Sequence, residues 1–236
     1  MNRNVLVFGA TGAIGGAIVD HFLSQDRRVY AVSRNQHGIA TDSTSLEWIG
    51  WDVIGERGND LPSTLPKVGA VVWAQGANCS DDIYDFNVKR HQEVYEANVL
   101  YILQSLQHLI LKDCLAPNAR LCVISSIWQN IARQKKLSYC ITKSALQGLV
   151  QSLAIDLGKA GHLINAVLPG ALDTPMTRAN LTSQQISALE AMTPLGTLPA
   201  LDDVCGLVAF LCSQQNTGIT GQFVAADRGF SNARIL

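Results

Sequence analysis

The stretch VLVFGATGAIGG, residues 5–16, determines how the chain begins to fold. Four apolar residues come first, as in a parallel strand that is buried on both faces of a sheet. A turn with Gly9, Gly12 and Gly15 follows, and residues 13–24 then carry apolar side chains at helical spacing. The stretch therefore predicts a strand, a tight turn and a helix in that order.

The same alternation of strands and helices continues along the chain. Right-handed crossovers between such strands give a parallel sheet with helices on both faces. We therefore expect an α/β fold, with a doubly wound, seven-stranded parallel sheet in a single domain over residues 1–236. The further predicted strands are 28–32, 46–51, 68–73, 121–124, 162–168 and 222–225, and the further helices are 87–112, 139–158 and 202–212.

Two polar stretches do not fit regular elements. Residues 34–45 contain a glycine, so we do not expect a full helix between the second and third strands. Residues 174–199 are rich in Thr, Pro and Ser around one short helix. They follow the carboxyl end of a strand, where ligands bind in open α/β sheets, and we predict that they form a mobile substrate lid.

The composition excludes several classes of protein. The 236 residues, 47% apolar with a net charge of −1, suit one domain and lack the basic surplus of most nucleic-acid-binding domains. No apolar run reaches the roughly 18 residues of a membrane span, and no signal peptide precedes the first strand. The six cysteines form no C-x-x-C pair, and the five histidines lack metal-ligand spacing. We expect a cytoplasmic protein with reduced thiols and no metal, membrane or nucleic-acid partner.

The glycine turn predicts a site for a dinucleotide. Glycines let the backbone approach a pyrophosphate closely, and the N-terminus of the following helix offers free N–H groups. A plain tight turn is the alternative. Where enzymes that prefer NAD usually carry an acid for the ribose 2′-hydroxyl, this chain has Ser33 and Arg34. An arginine can pair with a 2′-phosphate, so we expect NADP(H) rather than NAD(H), with a solvated arginine as the alternative.

Ser126, Tyr139 and Lys143 form a candidate proton-transfer group. Tyr139 and Lys143 stand four residues apart and so share a helix face, and Ser126 lies thirteen residues before Tyr139. A nearby positive charge lowers the pKa of a phenol from its usual value of about 10. We therefore expect Lys143 to make Tyr139 a general acid/base near neutral pH, with Ser126 donating to a substrate oxygen. The neighbouring Ser125 is the alternative hydroxyl.

With these residues in order, the chain resembles the short-chain dehydrogenase/reductases over about residues 5–231. The resemblance implies a Rossmann-like fold of the simple, single-domain reductase branch, with hydride transfer between a nicotinamide cofactor and a carbonyl or alcohol carbon. The segments that carry it beside the glycine turn are Ala74-Gln75-Gly76, Asn98, Ser126, Tyr139-x-x-x-Lys143, 165–170 (NAVLPG), Thr174 and 219–227 (ITGQFVAAD).

The resemblance also implies roles for the matching residues. Tyr139 and Ser126 would act on the substrate oxygen, and Lys143 would lower the pKa of Tyr139 and hold the nicotinamide ribose. Asn98, within the long predicted helix, would anchor a water in a proton relay, although a solvated helix residue is the alternative. Thr174 would bind the carboxamide, or else form a simple turn. The expected cofactor contacts are Gly9, Thr11, Gly12, Ala13, Ile14, Gly15, Ser33, Arg34, Asp52, Val53, Ala74, Gln75, Gly76, Tyr139, Lys143, Pro169, Gly170, Leu172 and Thr174. For Asp52, an ordinary loop acid is an equal alternative.

Four positions depart from the family pattern. Gly12 gives the turn a spacing that is more usual in the extended, sugar-nucleotide branch, but the short chain and the position of Ser126 favour the simple branch. Phe8 stands where the family often has Thr or Ser, Ala74 replaces a common Asn, and Arg228 replaces a common glycine.

The substrate is expected to be a small carbonyl or alcohol compound. Trp128, just after Ser126, either lines its pocket or packs in the core. Arg133, Lys135 and Lys136 either bind an anionic substrate tail or are solvated. The two long helices predict a homodimer or homotetramer. The alternative functions are a catalytically silent cofactor-binding regulatory protein and a sugar-modifying epimerase or dehydratase that recycles its cofactor.

Overall fold

The computed structural model describes residues 3–34, 44–54, 65–174, 177–178 and 181–232. Its strands form one sheet in the order β3-β2-β1-β4-β5-β6-β7, in which all neighbours are parallel. The strands are β1 Asn4–Phe8, β2 Arg28–Ser33, β3 Leu46–Gly50, β4 Val68–Trp73, β5 Leu115–Ile124, β6 Leu163–Pro169 and β7 Phe223–Ala226. The predicted doubly wound, seven-stranded sheet is confirmed.

Helices cover both faces of this sheet, as predicted. They are α1 Ala13–Ser24, α2 Val88–Tyr95, α3 Tyr101–Leu111, α4 Leu137–Gly158, α5 Ser183–Ala191 and α6 Leu201–Leu211. Buried side chains of α1 and α6 pack on one face, and those of α3 and α4 pack on the other. The predicted helix 87–112 is present as an unbroken helical run over residues 88–111, in which a π-helical turn, Glu96–Leu100, joins α2 to α3.

The strand order reverses direction between β1 and β4, so the loops after these two strands diverge to opposite faces of the sheet. A crevice opens at such a point beyond the carboxyl ends of the strands, and ligands of open α/β sheets bind there. The glycine turn after β1 lies at this crevice, next to the loop after β4.

An aromatic cluster fills the sheet below the crevice. The ring of Phe8 stacks on Trp73 at a centroid distance of 5.8 Å, and the rings of Trp51 and Tyr101 approach it to 5.5 and 5.7 Å. All four side chains are buried. Such contacts need an apolar ring at position 8, which accounts for Phe8 where the family often has a hydroxyl residue.

Parts of two predicted irregular stretches lie outside the described residues, namely 35–43 and the lid residues 175–176 and 179–180. Within the lid, the short helix α5 is present, and Thr182 and Gln185 cap its N-terminus reciprocally. Among the described helices, none has the length and hydropathy needed to cross a bilayer. Over the same residues, no group of three or more His, Cys, Asp or Glu side chains is arranged to hold a metal ion.

Candidate active site

The glycine turn is packed too tightly for side chains at two positions. Gly9 has a φ of 73°, and a Cβ there would lie 2.5 Å from the backbone nitrogen of Gln75. A Cβ on Gly15 would lie 2.1 Å from the carbonyl oxygen of Gly9. Helix α1 begins directly after Gly12, which has no side chain to cap it. The N–H groups of its first turn therefore face the crevice without a capping side chain, as in an anion site.

A cavity of about 960 Å³ opens from this turn. Nine of the predicted cofactor residues line it: Gly9, Thr11, Gly12, Ser33, Arg34, Asp52, Ala74, Gln75 and Gly76. The cavity also reaches residues that sequence reasoning missed, among them Arg90, Glu93 and Ala97, whose spacing puts them on one face of a helix. The size of the cavity and the N–H groups of the glycine turn fit a dinucleotide whose phosphates lie on that turn.

The other predicted cofactor residues do not line this cavity: Ala13, Ile14, Gly15, Val53, Tyr139, Lys143, Pro169, Gly170, Leu172 and Thr174. Thr174 is buried, and its Oγ1 accepts a hydrogen bond of 3.2 Å from the backbone of Thr177. This hydrogen bond stabilises a local turn, and it leaves the predicted contact of Thr174 with the cofactor as a prediction. A Cβ on Gly170 would lie 2.9 Å from the Cβ of Asp227, so the glycine is needed for close packing there.

Ser126 is the hydroxyl that faces Tyr139. It follows β5 and precedes a short 3-10 turn, where its Oγ accepts a hydrogen bond of 3.3 Å from the backbone of Trp128. Ser126 also acts on the Tyr139 side chain in the direction that lowers the pKa of the phenol. Ser125 instead donates a 2.8 Å hydrogen bond to Oε1 of Gln129 in the interior. Ser126 therefore stays the predicted partner of the substrate oxygen.

Lys143 lies on the next turn of α4 from Tyr139 and is buried. Its Nζ donates a 3.0 Å hydrogen bond to the carbonyl oxygen of Ile124 and lies 5.7 Å from the centroid of the Tyr139 ring. Burial lowers the pKa of Lys143 to about 8.

The expected effect of Lys143 on Tyr139 is wrong in direction for the protein chain alone. Burial raises the pKa of Tyr139 above its ordinary value, and the hydrogen bond from Ser126 opposes this only in part. Burial disfavours the phenolate of Tyr139, and it disfavours the ammonium form of Lys143 in the same way.

Asn98 lies in the π-helical turn and is buried, which contradicts a solvated helix residue. Its Oδ1 accepts a 2.8 Å hydrogen bond from the backbone N–H of Ala77. Its Nδ2 donates to the carbonyl oxygen of Ala77 at 3.0 Å and to Oγ1 of Thr142 at 2.9 Å. A Cβ on Gly76 would lie 2.9 Å from Asn98 Oδ1 and 3.7 Å from Lys143 Nζ, so this glycine leaves room between them.

The basic residues before Tyr139 are mostly used within the protein. Lys135 forms an ion pair with Asp82, and Lys136 donates to Oδ1 of Asn78 at 2.9 Å. Only Arg133 of the three has its charge near an aromatic ring, with its guanidinium 6.0 Å from the ring centroid of Trp128.

Trp128 packs against the C-terminal segment. Its ring meets the ring of Phe230 edge to face at 6.3 Å. Arg228, the departure from a family glycine, donates to Asp203 and Thr197 and so ties this segment to α6 and to the end of the predicted lid.

Sequence reasoning missed two buried polar residues beside Tyr139. Asp81 follows β4 in the loop of residues 74–87, and Ser138 directly precedes Tyr139. The carboxylate of Asp81 accepts hydrogen bonds from both the backbone and the hydroxyl of Ser138. The two are far apart in sequence, and no local pattern marks the contact.

Comparisons with known proteins identify the family. Residues 59–231 match a family model described as enoyl-(acyl carrier protein) reductase. The chain is 32% identical to the L-rhamnose 1-dehydrogenase (NADP(+)) of Thermoplasma acidophilum over 170 residues, which are 70% of this chain and 66% of that protein. It is 28% identical to a 3-oxoacyl-[acyl-carrier-protein] reductase of Rickettsia felis, over 96% of both chains.

Solved structures share the fold. A gluconate 5-dehydrogenase from Burkholderia cenocepacia, in complex with NADP and tartrate, matches with a TM-score of 0.89 at 20% identity over 98% of this chain and 96% of that one. An aldohexose dehydrogenase of Thermoplasma acidophilum matches with a TM-score of 0.84 at 21% identity, over 100% and 96%. The chain belongs to the short-chain dehydrogenase/reductase family and is an oxidoreductase that acts on CH–OH donors.

Proposed function

We propose that this oxidoreductase interconverts a carbonyl and a secondary alcohol with NADP(H), and that Tyr139 is its general acid/base. The observation that carries the proposal is the position of the buried Lys143, which lies on the next helical turn from Tyr139 with its Nζ 5.7 Å from the centroid of the Tyr139 ring. Two hydroxyls and an ammonium at this spacing are suited to moving a proton at a substrate oxygen.

The roles of the residues follow from their hydrogen bonds. Ser126 Oγ accepts from the backbone of Trp128, so its one proton is available either to the Tyr139 oxygen or to a substrate oxygen. Tyr139 gives a proton to that oxygen during reduction and takes one during oxidation. Since burial raises the pKa of Tyr139, the phenol is the stable form at neutral pH and is ready to act as the acid.

Asn98 and Lys143 support this proton transfer. Lys143 Nζ donates one of its three N–H groups to the carbonyl oxygen of Ile124, and the other two are available to the ribose hydroxyls and to Tyr139. Asn98 holds the loop after β4 against α4, so we assign it to positioning in addition to the relay that the family resemblance implies.

The cofactor would supply the hydride to the carbonyl carbon. The glycine turn would hold its diphosphate, and Arg34 would pair with a 2′-phosphate, which favours NADP(H) over NAD(H). The related L-rhamnose 1-dehydrogenase (NADP(+)) of Thermoplasma acidophilum uses NADP(+), which supports this preference. We propose that Pro169, Gly170 and Thr174 bracket the nicotinamide.

The substrate is a small carbonyl or alcohol compound in this proposal. The relatives named above act on a sugar and on a 3-oxoacyl thioester, and both classes present a carbonyl or secondary alcohol beside polar groups. We propose that the lid 174–199 and the loop with Trp128 decide between such compounds.

The test is an activity assay with a panel of substrates. L-Rhamnose and gluconate are offered with NADP⁺, a 3-oxoacyl thioester is offered with NADPH, and the absorbance of the reduced nicotinamide reports turnover. Tyr139→Phe should abolish turnover and leave NADPH binding intact. Tyr30→Phe is the matched control, because it removes a buried phenol hydroxyl on the far side of the sheet centre, in β2. Full activity in Tyr139→Phe would refute the mechanism, and net conversion without any cofactor turnover would favour an epimerase or dehydratase.

A further inference from the structure

Helix α4 carries two parallel pairs of residues with different partners. Tyr139 and Lys143 form the candidate catalytic pair. Ser138 and Thr142, each one residue earlier, form a second pair four residues apart, and both are fully buried. Both members of this second pair make hydrogen bonds that lead to the loop of residues 74–87 after β4.

The first connection is Asp81, whose side chain is buried at 1% exposure. Its Oδ1 accepts a 3.1 Å hydrogen bond from the backbone N–H of Ser138, and its Oδ2 accepts from Ser138 Oγ. The residue before α4, Lys136, offers no capping side chain. Asp81 therefore caps the helix from 57 residues away, at the end where a negative charge is favoured.

The carboxylate of Asp81 is held in its charged form. Burial, the largest single influence, would raise the pKa of Asp81, but the two hydrogen bonds from Ser138 and the other polar neighbours together lower it. A hydrogen bond with Cys79 and the nearby His91 act in the same direction. Because the single hydroxyl proton of Ser138 points to Asp81, Nδ1 of His91, 2.9 Å from Ser138 Oγ, must be the donor of that contact.

Backbone and charged contacts fix the register of the same junction. The N–H of Leu137 donates to the carbonyl oxygen of Asp81 at 3.2 Å, and the N–H of Asp81 donates to that of Lys135 at 3.3 Å. The ion pair of Lys135 with Asp82 lies beside them. The start of α4 cannot turn about its axis without breaking several of these bonds.

The second connection runs through Asn98. Its Nδ2 donates to Thr142, and its amide pairs with both backbone groups of Ala77. Residues 74–80 of this loop also line the cofactor cavity. This loop therefore lines the cavity, contacts Ser138 directly, and is connected to Thr142 through Asn98.

We propose that Asp81 is a positioning residue, which acts through Ser138 to set the rotation of the first turn of α4 so that the phenol of Tyr139 stays in hydrogen-bonding reach of Ser126. This inference rests on the proposed function of Tyr139. Loss of the carboxylate would leave the fold in place and loosen the contact between Ser126 and Tyr139.

The decisive experiment is a double-mutant cycle read by ultraviolet titration of Tyr139. The titration curve of Tyr139 is the difference between a protein and its Tyr139→Phe counterpart after a rapid jump to alkaline pH. In the wild-type background, Ser126→Ala should raise the midpoint, because the hydrogen bond from Ser126 favours the phenolate. In the Asp81→Asn background, Ser126→Ala should raise the midpoint by less than about half as much.

Loss of the Asp81 charge also shifts the Tyr139 midpoint directly. This shift is the same in Asp81→Asn and in Asp81→Asn with Ser126→Ala, so it cancels when the two proteins are compared. An undiminished effect of Ser126→Ala would overturn the proposal and leave Asp81 as a stabilising cap alone. If Asp81→Asn does not fold, Ser138→Ala replaces it, since it keeps the backbone hydrogen bond and removes only the hydroxyl. In the Ser138→Ala background, a diminished effect of Ser126→Ala on the Tyr139 midpoint would support the proposal, and an undiminished effect would overturn it.

Turnover provides a second readout with whichever panel substrate is converted. Asp81→Asn should lower kcat on the order of 10- to 100-fold, with the Kd for NADPH changed less than about twofold. Val208→Ala, which makes a cavity in α6 on the opposite face of the sheet, controls for general destabilisation and should keep kcat. An unchanged kcat in Asp81→Asn beside an inactive Tyr139→Phe would sink this inference alone. Full activity in Tyr139→Phe would sink the proposed function.

Discussion

The Nζ of Lys143 donates a 3.0 Å hydrogen bond to the carbonyl oxygen of Ile124, the last residue of β5. This contact draws an ammonium into the interior between the sheet and α4, where burial lowers its pKa to about 8. A buried charge with one neutral partner is a cost to the fold that the chain retains for another reason, and proton transfer at Tyr139 is the reason that the geometry supports.

The first prediction concerns stability against pH. The displacement of the Lys143 pKa from 10.5 to about 8 corresponds to roughly 3 kcal/mol of destabilisation below pH 8, where both folded and unfolded states are protonated. Between about pH 8 and 10.5 the unfolded state binds more protons, so this penalty fades as the pH rises. Lys143→Met should therefore be more stable than the wild type at pH 7, by a margin that shrinks toward pH 10. Thermal unfolding at several pH values measures it, and a margin that does not vary with pH would contradict it.

The second prediction separates the two serines after β5. Ser126→Ala should lower turnover on the order of 100-fold, since it removes a donor to the developing oxyanion. Ser125→Ala is the matched control, because Ser125 bonds only to Gln129 within the interior. It should lose about 1 kcal/mol of stability and keep its turnover. Equal losses of kcat in the two variants would refute the assignment.

The third prediction tests the glycine turn with two neighbouring residues. Gly15→Ala places a Cβ 2.1 Å from a backbone oxygen and should abolish NADPH binding or folding. Gly16→Ala meets nothing nearer than 3.5 Å and lies within α1, so it should be stabilising by up to about 1 kcal/mol with binding retained. NADPH fluorescence titration and thermal unfolding measure both. Normal binding by Gly15→Ala would show that the turn is looser than its packing indicates.

Some features of the fold and of the site can be predicted from the sequence, and others cannot. The order of elements and the pairing of Tyr139 with Lys143 rest on short-range periodicity, which sequence carries directly. The direction of the Tyr139 pKa depends on burial by distant elements, and a spacing of four residues does not report it. The π-helical turn at Asn98 was missed because no glycine or proline interrupts residues 87–112.

Long-range polar contacts explain the remaining differences. Asp81 lies in a loop that has no motif, yet it caps a helix that begins far along the chain. Lys135 and Lys136 were candidates for an anion site, but in that same loop Asp82 pairs with Lys135 and Asn78 accepts a hydrogen bond from Lys136. Such pairs become visible only when the loop after β4 is placed beside α4.

The fourth prediction concerns cofactor choice. Arg34→Ala should weaken NADPH binding by roughly 10- to 100-fold and change NADH binding little, because a 2′-phosphate is the only group that distinguishes the two. Arg28→Ala is the control, since Arg28 lies at the other end of β2 and pairs with Glu47. Calorimetry with both dinucleotides measures the ratio. An equal loss of affinity for NADPH and for NADH would indicate that Arg34 stacks on the adenine and does not select the 2′-phosphate.

The fifth prediction is that the chain assembles through α3 and α4. Leu111 at the end of α3 and Ile155 on α4 are about three-quarters or more exposed in the single chain, and Ile141 on α4 is also exposed. Large apolar side chains grouped on two neighbouring helices are typical of surfaces that a second copy covers. Light scattering should give two or four times the 25.5 kDa mass of one chain. Ile155→Glu should reduce that mass, while Ile219→Glu, in the loop before β7, should leave it unchanged. A monomeric wild type at micromolar concentration would refute the prediction.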